Sequence, residues 1–344
     1  MEHLVEYGLF LAKVVTLTVA LVFAVALIAG ISQRHRRSRK GELEVSAVHE
    51  EVRDERRQLR DAMSTRAERR AAHKKEKKEE RQQARKGVSQ AGKRLFVLNF
   101  NGDLQASAVE HLREEVTALL GQTSAEDEVV IRLESGGGMV HSYGLAASQL
   151  DRIRRQGVTL TVCVDKVAAS GGYMMACVAH RIVAAPFAMV GSIGVLAQVP
   201  NVHRLLRKHD IDFEQITAGQ YKRTLTVFGE NTEQGREKLR EDLEEIHEHF
   251  KSFIVEHRPT VDIDRVATGE VWLGTRAREL GLVDELMTSD DYLIAQVDKG
   301  VPVYEVCYRK HTPITERLGV AAEQRVDSLL SRWWARLQDW HLWR

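Results

Sequence analysis

The sequence predicts an α/β domain carried behind an N-terminal membrane-spanning helix. Three observations lead there. Residues Val14–Ile31 form a run of 18 without a charge. From Lys93 onward, strand-patterned and helix-patterned segments alternate. Two glycine-marked turns fall where a strand gives way to a helix. The 344 residues, 43% hydrophobic and 29% charged, exclude disorder of the whole chain and suffice for a sizeable core.

The apolar run comes first. At about 1.5 Å per residue it spans a slightly tilted crossing of the bilayer, and Lys13 can snorkel to the interface. A cleavable signal peptide needs a basic start and a small-x-small site after the run. Here the start is acidic at Glu2 and Glu6, and Arg34, Arg36, Arg37, Arg39 and Lys40 come after the run. That is the pattern of an uncleaved anchor, and the positive-inside rule puts the chain beyond it in the cytoplasm. The expected location is the inner (cytoplasmic) membrane, with a single span. The net charge of +1 conceals a basic crowding between Arg34 and Arg94. Its place beside an apolar segment assigns it to a membrane surface and argues against nucleic acid.

The chain divides into four regions: an anchor over 1–33, a charged helical or flexible spacer over 34–92, a folded domain over 93–310 and an amphipathic tail over 311–344. In the spacer, Val45, Val48, Val52, Leu59 and Ala62 fall at a and d spacing, too few positions to distinguish a coiled coil from a solvated helix.

Within the domain, Arg94–Phe100 reads as a strand, and Ser107 caps a helix carrying Leu112, Val116 and Leu119 until Gly121 stops it. Glu128–Leu133 is the next strand, His141–Gln156 the next helix, and Val158–Val164 a third strand. Such alternation implies parallel pairing in a layered α/β domain. Asn231–Gln234 opens a long helix with Leu239, Leu243, Ile246, Phe250 and Phe253 on one face. His247 and His249 on that helix lack metal-ligand spacing. In the tail, Trp333, Trp334, Trp340 and Trp343 lie close to Arg332 and Arg336. That composition suits a membrane interface and equally a helix docked on its own domain or on a second subunit. Cys163, Cys177 and Cys307 each sit in an apolar run and read as small buried hydrophobes.

The glycine-marked turns are Glu134–Gly138 and Ala168–Tyr173. Between strand and helix, such turns leave N–H groups unpaired and outward-facing. Ser170, before Gly171 and Gly172, stands at a helix start, where a developing oxyanion is favoured. The same place suits a serine that merely caps the helix, and the residues alone leave both readings open. No phosphate-binding glycine motif is present, and His141, His180 and His203, the nearest histidines, are not set in turns.

The run Asp165–Tyr173 resembles the nucleophile motif of the S49 peptidases, the signal peptide peptidase A family, and Gly219–Arg223 resembles their base motif. The 52-residue spacing from Ser170 to Lys222 is similar to that of single-repeat members. Ala185–Val195 and Gly281–Asp284 also match, and the resemblance runs nearly end to end. It implies a ClpP/crotonase-like α/β fold, a Ser-Lys dyad, no metal or other cofactor, and ring-shaped homo-oligomers. Carried over, Ser170 is the nucleophile, Lys222 the general base and Ser192 a hydrogen-bonding support for that base. The backbone N–H groups of Gly171 and Gly137 form the oxyanion hole. The family's turn usually reads Ser-Pro-Gly-Gly; here Gly136 stands at the proline position, which removes a φ constraint.

The chemistry is coherent. A serine hydroxyl needs a partner to take its proton, and a lysine can do so only when neutral, a form favoured by burial away from carboxylates. Lys222 has no acidic neighbour within several positions, and Tyr221 and Leu225 offer apolar cover. The rival, Lys166, adjoins Asp165. The expected activity is a membrane-anchored serine endopeptidase acting through an acyl-enzyme on signal-peptide remnants or unfolded segments, in contact with membrane lipid. The alternatives are a non-catalytic membrane scaffold of the same fold, or a crotonase-type acyl-CoA enzyme, which would leave Ser170 with Lys222 unexplained.

Overall fold

The computed structural model describes residues 41–85 and 92–310; the apolar run 14–31 and the tail 323–344 lie outside the described residues. Among the described residues no helix is long and apolar enough to cross a membrane. The described residues between 44 and 307 belong to one compact unit, and residues 41–43 and 308–310 to a second. In the second, the Gly41 N–H donates to Tyr308 Oη at 2.6 Å.

In chain order the first elements are β1 (Glu42–Ala47), α1 (Val48–Met63), α2 (Arg66–Arg85), β2 (Leu95–Gly102), α3 (Val109–Leu120) and β3 (Glu128–Ser135). Then come α4 (Val140–Arg155), β4 (Thr159–Val164), β5 (Val167–Ala169), α5 (Gly171–Ala176), β6 (Arg181–Ala184) and β7 (Met189–Gly191). The last are α6 (His203–Lys208), α7 (Glu233–His257), α8 (Ile263–Val266), β8 (Val271–Leu273), α9 (Gly274–Glu279), β9 (Glu285–Leu286), α10 (Ser289–Asp298) and β10 (Val303–Arg309). The sheet of the larger unit runs β10-β2-β3-β4-β6-β9, and its pairings along this path are parallel. The βα alternation predicts this outcome, because parallel neighbours need helical crossovers.

Both sheet faces are covered, and the strands show it in a two-residue period. Phe96, Leu98 and Phe100 of β2 enter one core with Leu112 and Val116 of α3, and with Ile153 of α4. Leu95 and Val97 point the other way, against Tyr292, Leu293 and Val297 of α10. A near-continuous apolar strand is what a doubly covered parallel sheet requires. Val48 and Val52 of α1, two of the apolar spacer positions, pack against this second core. Cys163 and Cys177 are buried free thiols, with burial pushing Cys163 up to about 12.

Three local details differ from the sequence reading. Ser107 does not cap α3: Asp103 accepts its N–H at 2.8 Å and its hydroxyl at 2.7 Å, so it belongs to the preceding turn. The long helix is capped by Thr232, whose Oγ1 accepts from the Gly235 N–H at 3.1 Å. Short strands β5 to β9 emerge where sequence showed no alternation, since segments of two to four residues carry no readable period.

Candidate active site

Two short strands leave the main path of the sheet and build the site. β5 pairs with β3 at Ser135↔Ala168 and with β7 at Ala169↔Gly191, which delivers Ser170 and Ser192 side by side. Ser170 donates its N–H to Gly191 O at 2.8 Å and accepts the Met174 N–H at 2.9 Å. Its backbone sits at φ +52° and ψ −119°, a conformation that costs a serine of order 1–3 kcal/mol and persists only where the surroundings impose it. The residue occupies the N-cap position of α5, yet its hydroxyl makes no capping hydrogen bond. Ser192, also at positive φ (+51°), donates its N–H to Glu270 O at 2.6 Å.

The other wall is the glycine turn after β3. A Cβ on Gly137, at φ +88°, would fall 2.7 Å from each of Ala169 O, Gly171 N and Ser170 Cβ. A Cβ on Gly171 would stand 2.4 Å from Tyr143 Cγ, and one on Gly172 would stand 2.5 Å from Ser135 O. Glycine at these places is a packing requirement: Gly137 and Gly172 meet other backbone, and Gly171 meets the Tyr143 ring, with no room for a side chain. Gly171 opens α5, so its N–H has no intrahelical partner. The Gly137 N–H donates to Ser135 Oγ at 3.0 Å. Gly136 is unconfined, with nothing within 4 Å of a Cβ there. Beside Ser170 lies a small apolar cleft of about 10 Å³, walled by Gly138, Val140, Met174, Val195, Ile246 and Phe250.

Thus Ser170, Gly171, Gly137 and Ser192 come together, and Lys222 lines a different cavity from the one beside Ser170. It lies in an exposed turn, its N–H donating to Gly219 O at 3.2 Å, and lines a separate cavity of about 620 Å³ with Phe213, Ile216, Arg223 and Phe228. No hydrogen bond joins it to Ser170 among the described residues. The segment around it is anchored: Asn201 Nδ2 donates to Thr226 O and Gly229 O at 2.9 and 3.0 Å, and Lys238 lies over the Tyr221 ring. Lys166 is paired with Glu134 at 2.9 Å on the surface. Asp165, the sequence neighbour of that lysine, accepts the Ser289 N–H and hydroxyl at 2.8 and 2.6 Å. His180 accepts the Leu160 N–H at 3.0 Å, with burial and nearby Arg154 lowering its pKa.

Two site residues escape sequence reading. Ser135 and Tyr143 are buried and share a 2.6 Å hydrogen bond directly beneath the glycine turn. Ser135 stands inside a turn whose glycines draw the attention, and Tyr143 is one helix position among several apolar ones.

The sequence model described as Peptidase family S49 N-terminal matches residues 2–150, and that of Peptidase family S49 matches residues 152–303. "Probable protease SohB" of Haemophilus influenzae is 47% identical over 342 residues, covering 96% of this chain and 96% of its own. "Probable protease SohB" of Buchnera aphidicola subsp. Schlechtendalia chinensis is 44% identical, covering 86% of this chain and all (100%) of its own. Among solved structures, a mutant of the 1510-N membrane-bound stomatin-specific protease aligns with a TM-score of 0.40 at 12% identity, covering 62% of this chain and 98% of that one.

Proposed function

Because the chain belongs to peptidase family S49, and is accordingly a peptidase, we propose that it is a membrane-anchored serine endopeptidase of ClpP/crotonase-like fold, with Ser170 as nucleophile and Lys222 as base. The observation that carries this reading is the state of Ser170. A serine in a strained backbone conformation, with its hydroxyl unspent on capping and glycine turns crowding in from two sides, has the features of an activated nucleophile.

In the proposed reaction Ser170 Oγ attacks the scissile carbonyl while neutral Lys222 Nζ takes its proton. The oxyanion is met by the N–H groups of Gly171 and Gly137. Lys222 then protonates the leaving amine, the peptide N-terminal to the cut stays esterified to Ser170, and water activated by the same lysine releases it. Ser192, one residue beyond the Gly191 carbonyl that holds Ser170, orients the lysine.

The placing of Ser170 and Lys222 on different cavities, with no hydrogen bond between them among the described residues, favours an assembly in which one copy lends its lysine to the next. Lys222 lies in an exposed turn; covering that turn with a second copy supplies the burial that a lysine base needs. The same segment is rich in uncovered apolar side chains, with Ile216 94% and Leu196 76% exposed, which favours burial against a partner. Anchoring is assigned to the apolar run 14–31, and a second membrane contact to the tail 323–344. The experiment is hydrolysis of casein or a signal-peptide substrate by the wild type and by Ser170→Ala and Lys222→Ala. Both variants should lose turnover while keeping their fold, and near-native turnover in either refutes the dyad.

A further inference from the structure

We propose that Tyr143 is a positioning residue of the oxyanion hole, acting on the Gly137 N–H through Ser135; the inference rests on the serine-peptidase reading above. Its basis is a hydrogen-bond chain whose direction is fixed by proton count. Tyr143 Oη donates to the Asp103 carbonyl at 2.7 Å. That uses its single proton, so in the 2.6 Å contact with Ser135 the serine hydroxyl is the donor. Ser135 Oγ is then left with its lone pairs facing the Gly137 N–H, 3.0 Å away. The chain runs in one sense, from Gly137 N–H to Ser135, to Tyr143, to the end of β2. Burial keeps the Tyr143 phenol protonated, raising it above its ordinary value.

The tyrosine reaches both sides of the hole. Its ring lies directly under Gly171, as the 2.4 Å approach of a Cβ there to Tyr143 Cγ requires, and its hydroxyl governs the Gly137 turn through Ser135. Gly102 makes room for the hydroxyl pair: a Cβ on it would meet Tyr143 Oη at 2.5 Å and Ser135 Oγ at 2.6 Å. Such a device answers a specific need. With Gly136 at the start of the turn, and space around it, the backbone lacks the stiffening a proline would give. A buried, fully satisfied chain of hydroxyls supplies that stiffness from beneath. The Gly137 bond to Ser135 is of ordinary length, and an anionic oxygen developing in front of the turn would share its proton in three-centre fashion.

The test compares full-length wild type, Tyr143→Phe, Ser135→Ala and the double variant. The readouts are kcat and KM on a peptide substrate, inhibition by a peptidyl boronate that mimics the tetrahedral adduct, and thermal midpoint. Phenylalanine keeps the ring under Gly171 and removes only the chain. Each single variant should lose roughly 10-fold or more in kcat, a part of what deleting an oxyanion donor costs. KM should stay within about twofold, and boronate affinity should fall in step with kcat/KM. The double variant should be no worse than the weaker single, because the two hydroxyls form one chain. Unchanged kcat in Tyr143→Phe or in Ser135→Ala, a loss confined to KM, or multiplying effects in the double variant would overturn the inference while the Ser170 chemistry stands. A wild type without Ser170-dependent turnover would overturn the proposed function, and this inference with it.

Discussion

Ser170 donates its backbone N–H to the carbonyl oxygen of Gly191 at 2.8 Å, so one inter-strand bond fixes the distance between the proposed nucleophile and Ser192. The bond continues the β5–β7 pairing by one residue, past the point where both chains turn to positive φ. Ser170 is therefore held from both sides, by the sheet through its N–H and by its own helix through the carbonyl that accepts from Met174.

Ser192→Ala removes a hydroxyl without touching that bond. We expect the thermal midpoint to stay near the wild-type value while kcat falls roughly 10-fold, in the range for losing one positioned group in acid–base catalysis. Steady-state kinetics on a peptide substrate, alongside a thermal melt, checks this. Unchanged kcat would remove Ser192 from the site.

Neighbouring glycines of one turn should behave oppositely. Gly137→Ala forces a Cβ to within 2.7 Å of Ser170 Cβ and Gly171 N at φ +88°, and should abolish turnover and cost about 1–3 kcal/mol of stability. Gly136→Ala meets nothing within 4 Å and is not at positive φ. It should keep activity within about twofold and add up to ~1 kcal/mol by narrowing the unfolded ensemble. Urea unfolding and turnover of both variants check the contrast.

If Lys222 of one copy serves Ser170 of another, the two dead variants should rescue each other. Coexpressed Ser170→Ala and Lys222→Ala chains should regain a measurable fraction of wild-type turnover, because some mixed contacts pair the intact serine with the intact lysine. Turnover that stays at the level of the single variants in verified mixed assemblies would place both residues of each site on one chain.

Stability should fall in acid through Asp127. Burial raises its carboxyl, but hydrogen bonds from Arg94 and Ser124 outweigh that and bring it to about 2. A carboxyl depressed in the folded state stabilises fully above its unfolded value of about 3.8 and loses that contribution as pH falls to about 2. Arg94 is one-third exposed, so screening reduces the contribution to roughly 1–2 kcal/mol. Asp284, beside Arg258, is shifted the same way. Asp127→Asn should therefore lower stability at pH 7 and flatten, without abolishing, the slope of urea-unfolding free energy between pH 4 and 2.5.

The centre of the sheet, β2, β3 and β4, was legible in the sequence because those strands are long enough to carry a pattern. Arg94–Phe100 and Glu128–Leu133 read as strands and fall within the observed Leu95–Gly102 and Glu128–Ser135 to within a residue, and the long helices read from their spacing. The elements that build the site were not legible. Val167–Ala169 and Met189–Gly191 have three residues each, and their pairing depends on distant partners. Motif resemblance, and not pattern, singled out Ser170, since an N-cap serine looks the same in one dimension. What separates the two readings is its φ of +52° and uncapped hydroxyl, which only the fold reveals. Tyr143 acquires its place from three chain segments meeting beneath one turn, which leaves no local signature.

Whether Ser170 is a nucleophile activated by Lys222 is decided by labelling with a fluorophosphonate probe. The purified full-length protein should form one covalent adduct, mapped by peptide mass spectrometry to Ser170. Ser170→Ala should give none, and Lys222→Ala should label at least about 100-fold more slowly, on the scale of losing a catalytic base. A wild type that resists the probe, or one that labels equally well without Ser170 or without Lys222, would contradict the account.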